Sequence, residues 1–284
     1  MNLNHYTFSI ADVNFDVTSG LPINFARATL SPPNDSEPIK VTVLPISDVP
    51  EQGNFFAESA GKRFYSTSGG IAVELVDYTK KNTIIRAVSS PASVIVGIDD
   101  NYLLSSGMIN GQMLLSSLDL PYLLLGHRRI VLHAASIEVA GKAIIFSAPS
   151  GTGKSTQAHL WETFRGANQK NGDKVALGIR DGICRAYAFP FAGTSGICLD
   201  YDLPLCAIVF LRQAKENSIV KLHGITALRE FMNNAFGHES IPSYLSQMID
   251  CASGILSLTP TYMLSCTPDE NAVLTLENTL KESQ

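Results

Sequence analysis

The chain has 284 residues, enough for one large or two ordinary domains at about 150 residues each. Hydrophobic residues make up 45% and charged residues 17%, which excludes collagen-like and wholly disordered classes. Lys and Arg number 21 against 26 Asp and Glu, a formal charge of −5, so nucleic acid has no electrostatic support as a partner.

Met1 to Ala11 lacks the basic and long apolar regions of a secretory signal, and no segment approaches the roughly 18 apolar residues of a membrane span. The expectation is a cytoplasmic protein with no membrane partner. From Tyr6 to about Asp99, short β-prone stretches recur at Tyr6–Ile10, Ile39–Leu44, Ile71–Val76, Thr83–Val88 and Ser93–Ile98. Turn chemistry such as Ser31-Pro32-Pro33-Asn34-Asp35 and Ser68-Gly69-Gly70 separates them. These stretches predict a β-rich N-terminal domain over residues 1–103. Asn101 to Leu125 changes character, with Leu103, Leu104, Met108, Met113 and Leu114 spaced loosely like a helix. The second domain is expected over residues 104–284.

Ile130–Val139 and Lys142–Ser147 flank Ala140-Gly141 and predict a hairpin that feeds a glycine-containing loop. That loop, Ala148-Pro149-Ser150-Gly151-Thr152-Gly153-Lys154-Ser155-Thr156, meets the P-loop pattern everywhere except its first position, where Ala148 replaces Gly. Gly151 and Gly153 let successive backbone N–H groups face phosphate oxygens, and the helix expected over Ser155–Phe164 adds its positive end. Lys154 supplies a mobile cation for the β and γ phosphates, and Ser155 a hydroxyl for Mg²⁺. A Mg²⁺-nucleotide site also wants a carboxylate downstream. Asp173, in Asn171-Gly172-Asp173, is the candidate, with Asp181 a rival that fits the Asp181-Gly182 turn better. That turn joins Val175–Arg180 to Ile183–Phe189 in a second predicted hairpin.

His133 lies on the first strand of the hairpin that delivers the loop and could point toward the phosphate end. His159 reads as a surface residue. Pro190 to Gly196 is a second small-residue loop, able to contact phosphate or the phosphoryl acceptor, or simply to connect strands. Arg212 follows the predicted strand Leu205–Leu211 and is placed either for charge neutralisation or at a solvated strand end. Ser218–Leu222 reads as a further strand. Helical patterns close the chain at Thr226–Phe236, Ser243–Leu256 and Asn271–Lys281, the last introduced by Thr267 as cap and Pro268 at the first helical position. Cys184, Cys198, Cys206, Cys251 and Cys266 are odd in number and lack a CxxC, which predicts buried or neutral thiols.

Leu132-His133-Ala134-Ala135-Ser136-Ile137, the segment Ile144 to Thr156, Leu160-Trp161 and Asn171-Gly172-Asp173 together resemble the catalytic domain of HPr kinase/phosphorylase-related proteins. They resemble the ATP-dependent phosphoenolpyruvate carboxykinases more distantly. The likeness runs from about Gly126 to Leu222. It implies an α/β fold, an HPr-kinase-like P-loop catalytic domain behind the β-rich N-terminal domain. It further implies that Lys154 and the loop residues Ser150, Gly151, Thr152, Gly153, Ser155 and Thr156 hold the phosphates of ATP. Ser155 and Asp173 would position Mg²⁺, and His133 would sit beside the transferred phosphoryl group. Those families show two adjacent aspartates where this chain has Gly172-Asp173, so one carboxylate covers both roles, or His133 is the base, or catalysis is weak.

The expected function is an ATP-dependent phosphotransferase whose catalytic residues are Asp173, His133 and Lys154. Its acceptor would be a Ser or Thr hydroxyl of a protein or peptide. The alternatives are a non-catalytic nucleotide-binding sensor or assembly module, and a small-molecule kinase. A homo-oligomer is left open.

Overall fold

The computed structural model describes residues 3–25, 30–49, 53–59, 61–77, 82–99, 101–102 and 107–282. The chain is a mixed α/β protein that divides into two compact units, Met1–His127 and Arg128–Gln284. The boundary expected at residues 103–104, with Leu103 and Leu104, lies outside the described residues; the compact units divide later, after His127.

The first unit opens with β1 (Asn4–Ile10), β2 (Val13–Ser19), β3 (Ile23–Asn24), β4 (Ile39–Pro45), β5 (Asn54–Ser59) and β6 (Lys62–Ser66). It continues with β7 (Ile71–Asp77), β8 (Asn82–Ser89), β9 (Ser93–Ile98) and β10 (Ile109–Asn110). Eight of these form one mixed sheet in the order β1-β2-β4-β9-β8-β7-β6-β5, and β3 pairs with β10 apart from it. The alternation on β4 is direct: Ile39, Val41 and Val43 are buried while Lys40 and Thr42 are exposed, which is the period of a strand with one core face. The helix-like stretch resolves into α1 (Gly111–Ser117) and α2 (Leu120–Gly126). Asn110 caps α1 by accepting from the amides of Gln112 and Met113, and Asp119, at φ 46, breaks the run before α2.

The second unit contains β11 (Arg129–Val139), β12 (Lys142–Ser147), α3 (Lys154–Arg165), β13 (Asn168–Asn171), β14 (Lys174–Arg180), β15 (Ile183–Tyr187) and β16 (Asp202–Gln213). It ends with β17 (Ser218–Lys221), α4 (Gly224–Met232), β18 (Ala235–Phe236), α5 (Pro242–Leu258), β19 (Thr261–Cys266) and α6 (Glu270–Glu282). Both predicted hairpins form. Their turns carry Ala140-Gly141 at φ 49 and 74, and Asp181-Gly182 at φ 53 and 75, the pair of positive φ values that matches strand twist. The expected helix to Phe236 stops at Met232, and Ala235 and Phe236 instead pair with β11. The last helix is capped by Asp269, which accepts from the amides of Asn271 and Ala272, rather than by Thr267; Pro268 therefore precedes the cap.

Two long strands each change partners along their length. β11 pairs antiparallel with β14 over Arg129–His133 and with β12 over Ala134–Val139. β16 pairs with β15 over Asp202–Pro204, then parallel with β12 from Leu205 and with β19 from Ile208. Five strands thus close a ring, β12-β11-β14-β15-β16 and back to β12. β12, flanked in this ring by β11 and β16, is buried from Ala143 to Ser147. Ile144, Phe146 and Ala148 share one cluster with Ala158 and Trp161 of α3 and Val273 and Leu276 of α6. No helix among the described residues is long and apolar enough to cross a membrane.

Candidate functional site

The partner change in β11 falls at the histidine. His133 is the last residue in register with β14, opposite Lys174, and Ala134 is the first in register with β12, opposite Ser147. The Ala134 amide donates to the Asp173 carbonyl at 3.0 Å, and the Ser147 hydroxyl donates to the His133 carbonyl at 3.0 Å. Strand pairing alone therefore places His133 between Asp173, at the entry to β14, and the glycine-containing loop that leaves β12. His133 Nε2 lies 3.5 Å from Asp173 Oδ1, and the imidazole and Phe236 rings form a T-shaped pair with centroids 6.0 Å apart.

The loop itself has the geometry its glycines permit. Gly151 stands at φ 77 and Gly153 at φ 121, and no side chain caps the start of α3, so its first amides remain available to an anion. Ser150, Ser155 and Thr156 are exposed there. Lys154 is buried, and its ammonium donates to the carbonyls of Ala148 at 2.8 Å and Pro149 at 3.2 Å. Ala148 has no positive φ, and its methyl group packs in the cluster with Ala158 and Trp161, so a Cβ is accommodated at the motif's first position.

Burial lowers the pKa of Lys154, with Asp173 opposing. His133 is held below the ordinary histidine value first by burial, then by Lys154 and Lys174, against the pull of Asp173. Its imidazole is accordingly neutral near pH 7 and able to accept a proton.

The structure brings His133, Asp173 and Lys154 within electrostatic reach of one another. His159 is remote in role, with only a 3.4 Å approach to Glu162 on an exposed helix face. Asp181 is a turn residue at φ 53. Arg212 is exposed near the carboxyl end of β16. Among the described residues no three His, Cys, Asp or Glu side chains gather as a metal cage. The thiols are free, and burial pushes Cys251 up to about 11.

Two residues of the site escape sequence reasoning. Lys174 Nζ lies 2.6 Å from Asp173 Oδ2 and 5.0 Å over the Phe236 ring. Strand alternation argues against that pairing, because neighbours in a strand point to opposite faces; Asp173 stands just outside β14 and escapes the rule. Asn171 is fully buried. Its Oδ1 accepts from the amides of Asp173 and Lys174, and its Nδ2 donates to the carbonyls of Phe189 and Phe191. The Asn171-Gly172 pair is the signal that could have found this turn.

The segment after Phe189 is thereby tied to the aspartate. Gly193, at φ 57, approaches so closely that a Cβ there would lie 2.6 Å from Asp173 Cγ. A Cβ at Gly172 would lie 2.5 Å from Ser195 Cβ, so a larger residue there would displace the Ser195 side chain.

No protein-family model matches the chain, and no curated protein matches it. Among solved structures it is similar to the Hpr(Ser) kinase/phosphatase from Coxiella burnetii, with TM-score 0.32 and 9% identity over 54% of this chain and 99% of that one. At those values the likeness carries no argument about the site.

Proposed function

We propose that the chain is an ATP-dependent phosphotransferase of the HPr-kinase-like class, acting in the cytoplasm on a Ser or Thr hydroxyl of a protein or peptide. One observation carries this reading: β11 sets His133 against Asp173 at 3.5 Å while its next residue pairs with the strand that opens the P-loop. In this reading a phosphate-holding loop and a proton acceptor share one place, which phosphoryl transfer requires.

In this mechanism the loop amides and Lys154 hold the triphosphate. The acceptor hydroxyl attacks the γ-phosphorus and gives its proton to Asp173 or to neutral His133, and the bond to the β-phosphate oxygen breaks to leave ADP. Lys154 offsets charge on the transferred group. Mg²⁺, when bound, would neutralise phosphate oxygens, held by Ser155 Oγ and an Asp173 oxygen. One hydroxyl and one carboxylate suit a small hard cation that keeps waters and arrives with a nucleotide.

Calorimetric titration with ATP and Mg²⁺, alongside an ATP-turnover assay with peptide acceptors, tests the proposal. Lys154→Ala is expected to weaken ATP binding at least tenfold and to abolish turnover; unchanged binding and transfer would overturn it. A sensor without catalysis is the second reading. It is favoured by the engagement of both Asp173 oxygens, one by Lys174 and one by His133. Tight ATP binding with no turnover toward any acceptor selects it.

A further inference from the structure

The P-loop has two unlike flanks. Laterally, β14 with Asp173 at its entry is followed by β11 with His133, then β12 with the loop, then β16 and β19. The aspartate and imidazole therefore lie on one side of the loop, and the carboxyl end of β16 on the other. Outside that end is a cleft of about 520 Å³, walled by loop residues 149–152 and lined by Leu211, Met263, Arg212, Gln213 and Glu230. Clefts for small molecules span roughly 300–1,000 Å³, and α/β sheets bind ligands outside the carboxyl ends of their parallel strands. Here β12, β16 and β19 are parallel.

The lining is specific. Gln213 Nε2 donates to the Gly151 carbonyl at 3.3 Å and fixes the wall between strand end and loop. Arg212 is exposed and engages no side-chain partner among the described residues. The Glu230 carboxylate meets Arg229 only at 3.7 Å, too long for a hydrogen bond, so its acceptor positions stay open.

We propose that this cleft takes the ribonucleoside half of the nucleotide, with Glu230 accepting from the ribose 2′,3′-diol and Arg212 facing the α-phosphate. The inference rests on the phosphotransferase reading. Transfer needs the γ-phosphoryl group on the Asp173 flank, so a triphosphate laid across the loop directs its α-phosphate and sugar to the opposite flank. The residue types agree with that direction. A carboxylate beside the loop repels a further phosphate but accepts both protons of a diol, and a guanidinium suits a phosphate oxygen. Leu211 and Met263 offer an apolar face to a base.

Calorimetry on the full chain with Mg²⁺ compares three probes: ATP, 2′,3′-dideoxy-ATP and tripolyphosphate. The wild type is expected to bind ATP about tenfold more tightly than dideoxy-ATP, the worth of a hydrogen bond to a charged acceptor. Glu230→Ala brings that ratio close to one without weakening tripolyphosphate binding, while Glu230→Gln keeps part of the preference through its amide oxygen. Arg212→Ala weakens both nucleotides by the same factor. Equal wild-type affinity for ATP and dideoxy-ATP, or a ratio unmoved by Glu230→Ala, overturns the ribose assignment while triphosphate binding keeps the P-loop reading standing. If neither ATP nor tripolyphosphate binds, both fall.

Discussion

Asn171 shows how much one buried side chain can organise. It has no solvent exposure and bonds the Asp173 turn on one side and the Phe189–Phe191 carbonyls on the other. Removing it strands buried polar groups on both segments, each costing about 1–3 kcal/mol. Asn171→Ala is therefore expected to lower stability by about 2–4 kcal/mol in a denaturant titration, with most of the phosphoryl-transfer activity lost. Wild-type stability in the variant would show that water replaces the bonds. The cysteines supply a second expectation. Cys251 is nearly inaccessible and its thiol is pushed up to about 11, so at pH 8 it is a neutral thiol. Alkylation of the native protein at pH 8 should spare Cys251 and proceed there only after unfolding, as peptide mass mapping would reveal. Lys174 marks the limit of legibility at this scale: its partner is the adjacent aspartate, but only the position of that aspartate outside the pleat makes the contact feasible.

At the scale of elements, the legible features are those whose cause is local. The hairpin turns at Ala140-Gly141 and Asp181-Gly182 need positive φ at both central residues, and their sequences announce it. The β1–β2 hairpin turns on Ala11 and Asp12, at φ 53 and 67, without a glycine to signal it, and so β2 was not legible. The cap of α6 illustrates a shift of two residues. Asp269, and not Thr267, accepts the first amides, while the Thr267 hydroxyl donates to Asp269 Oδ2. These bonds, the Thr267 hydroxyl foremost, hold the Asp269 carboxyl below the ordinary aspartate range. A lowered folded-state value means that the cap stabilises above the unfolded pKa near 4 and that this is lost as pH falls through the folded value. Asp269→Ala should accordingly lower Tm by a few degrees at pH 7, and the difference from wild type should vanish at strongly acid pH. An equal difference at both pH values would refute the charged cap.

At the scale of the molecule, the second unit depends on the ring that β11 and β16 close by changing partners. Phe146, on β12, is fully buried in the cluster that also holds Ala148 and Trp161. Phe146→Ala is expected to cost about 3–5 kcal/mol in chemical denaturation, because the surrounding strands cannot collapse into the void. A cost below about 1 kcal/mol would mean that this face is not a packed core. By itself the sequence determined the loop from Ala148 to Thr156, the strand before it and the helix after it, since glycine placement, apolar runs and helical spacing are properties of neighbouring residues. Tertiary structure alone decided that β12 lies parallel to β16 and β16 to β19, that β11 passes between partners at His133, and that Arg212 and Glu230 line one cleft beside the loop. Those contacts join residues far apart in the chain, and the choice among such pairings rests on shared burial and loop closure, which no local pattern of residues records.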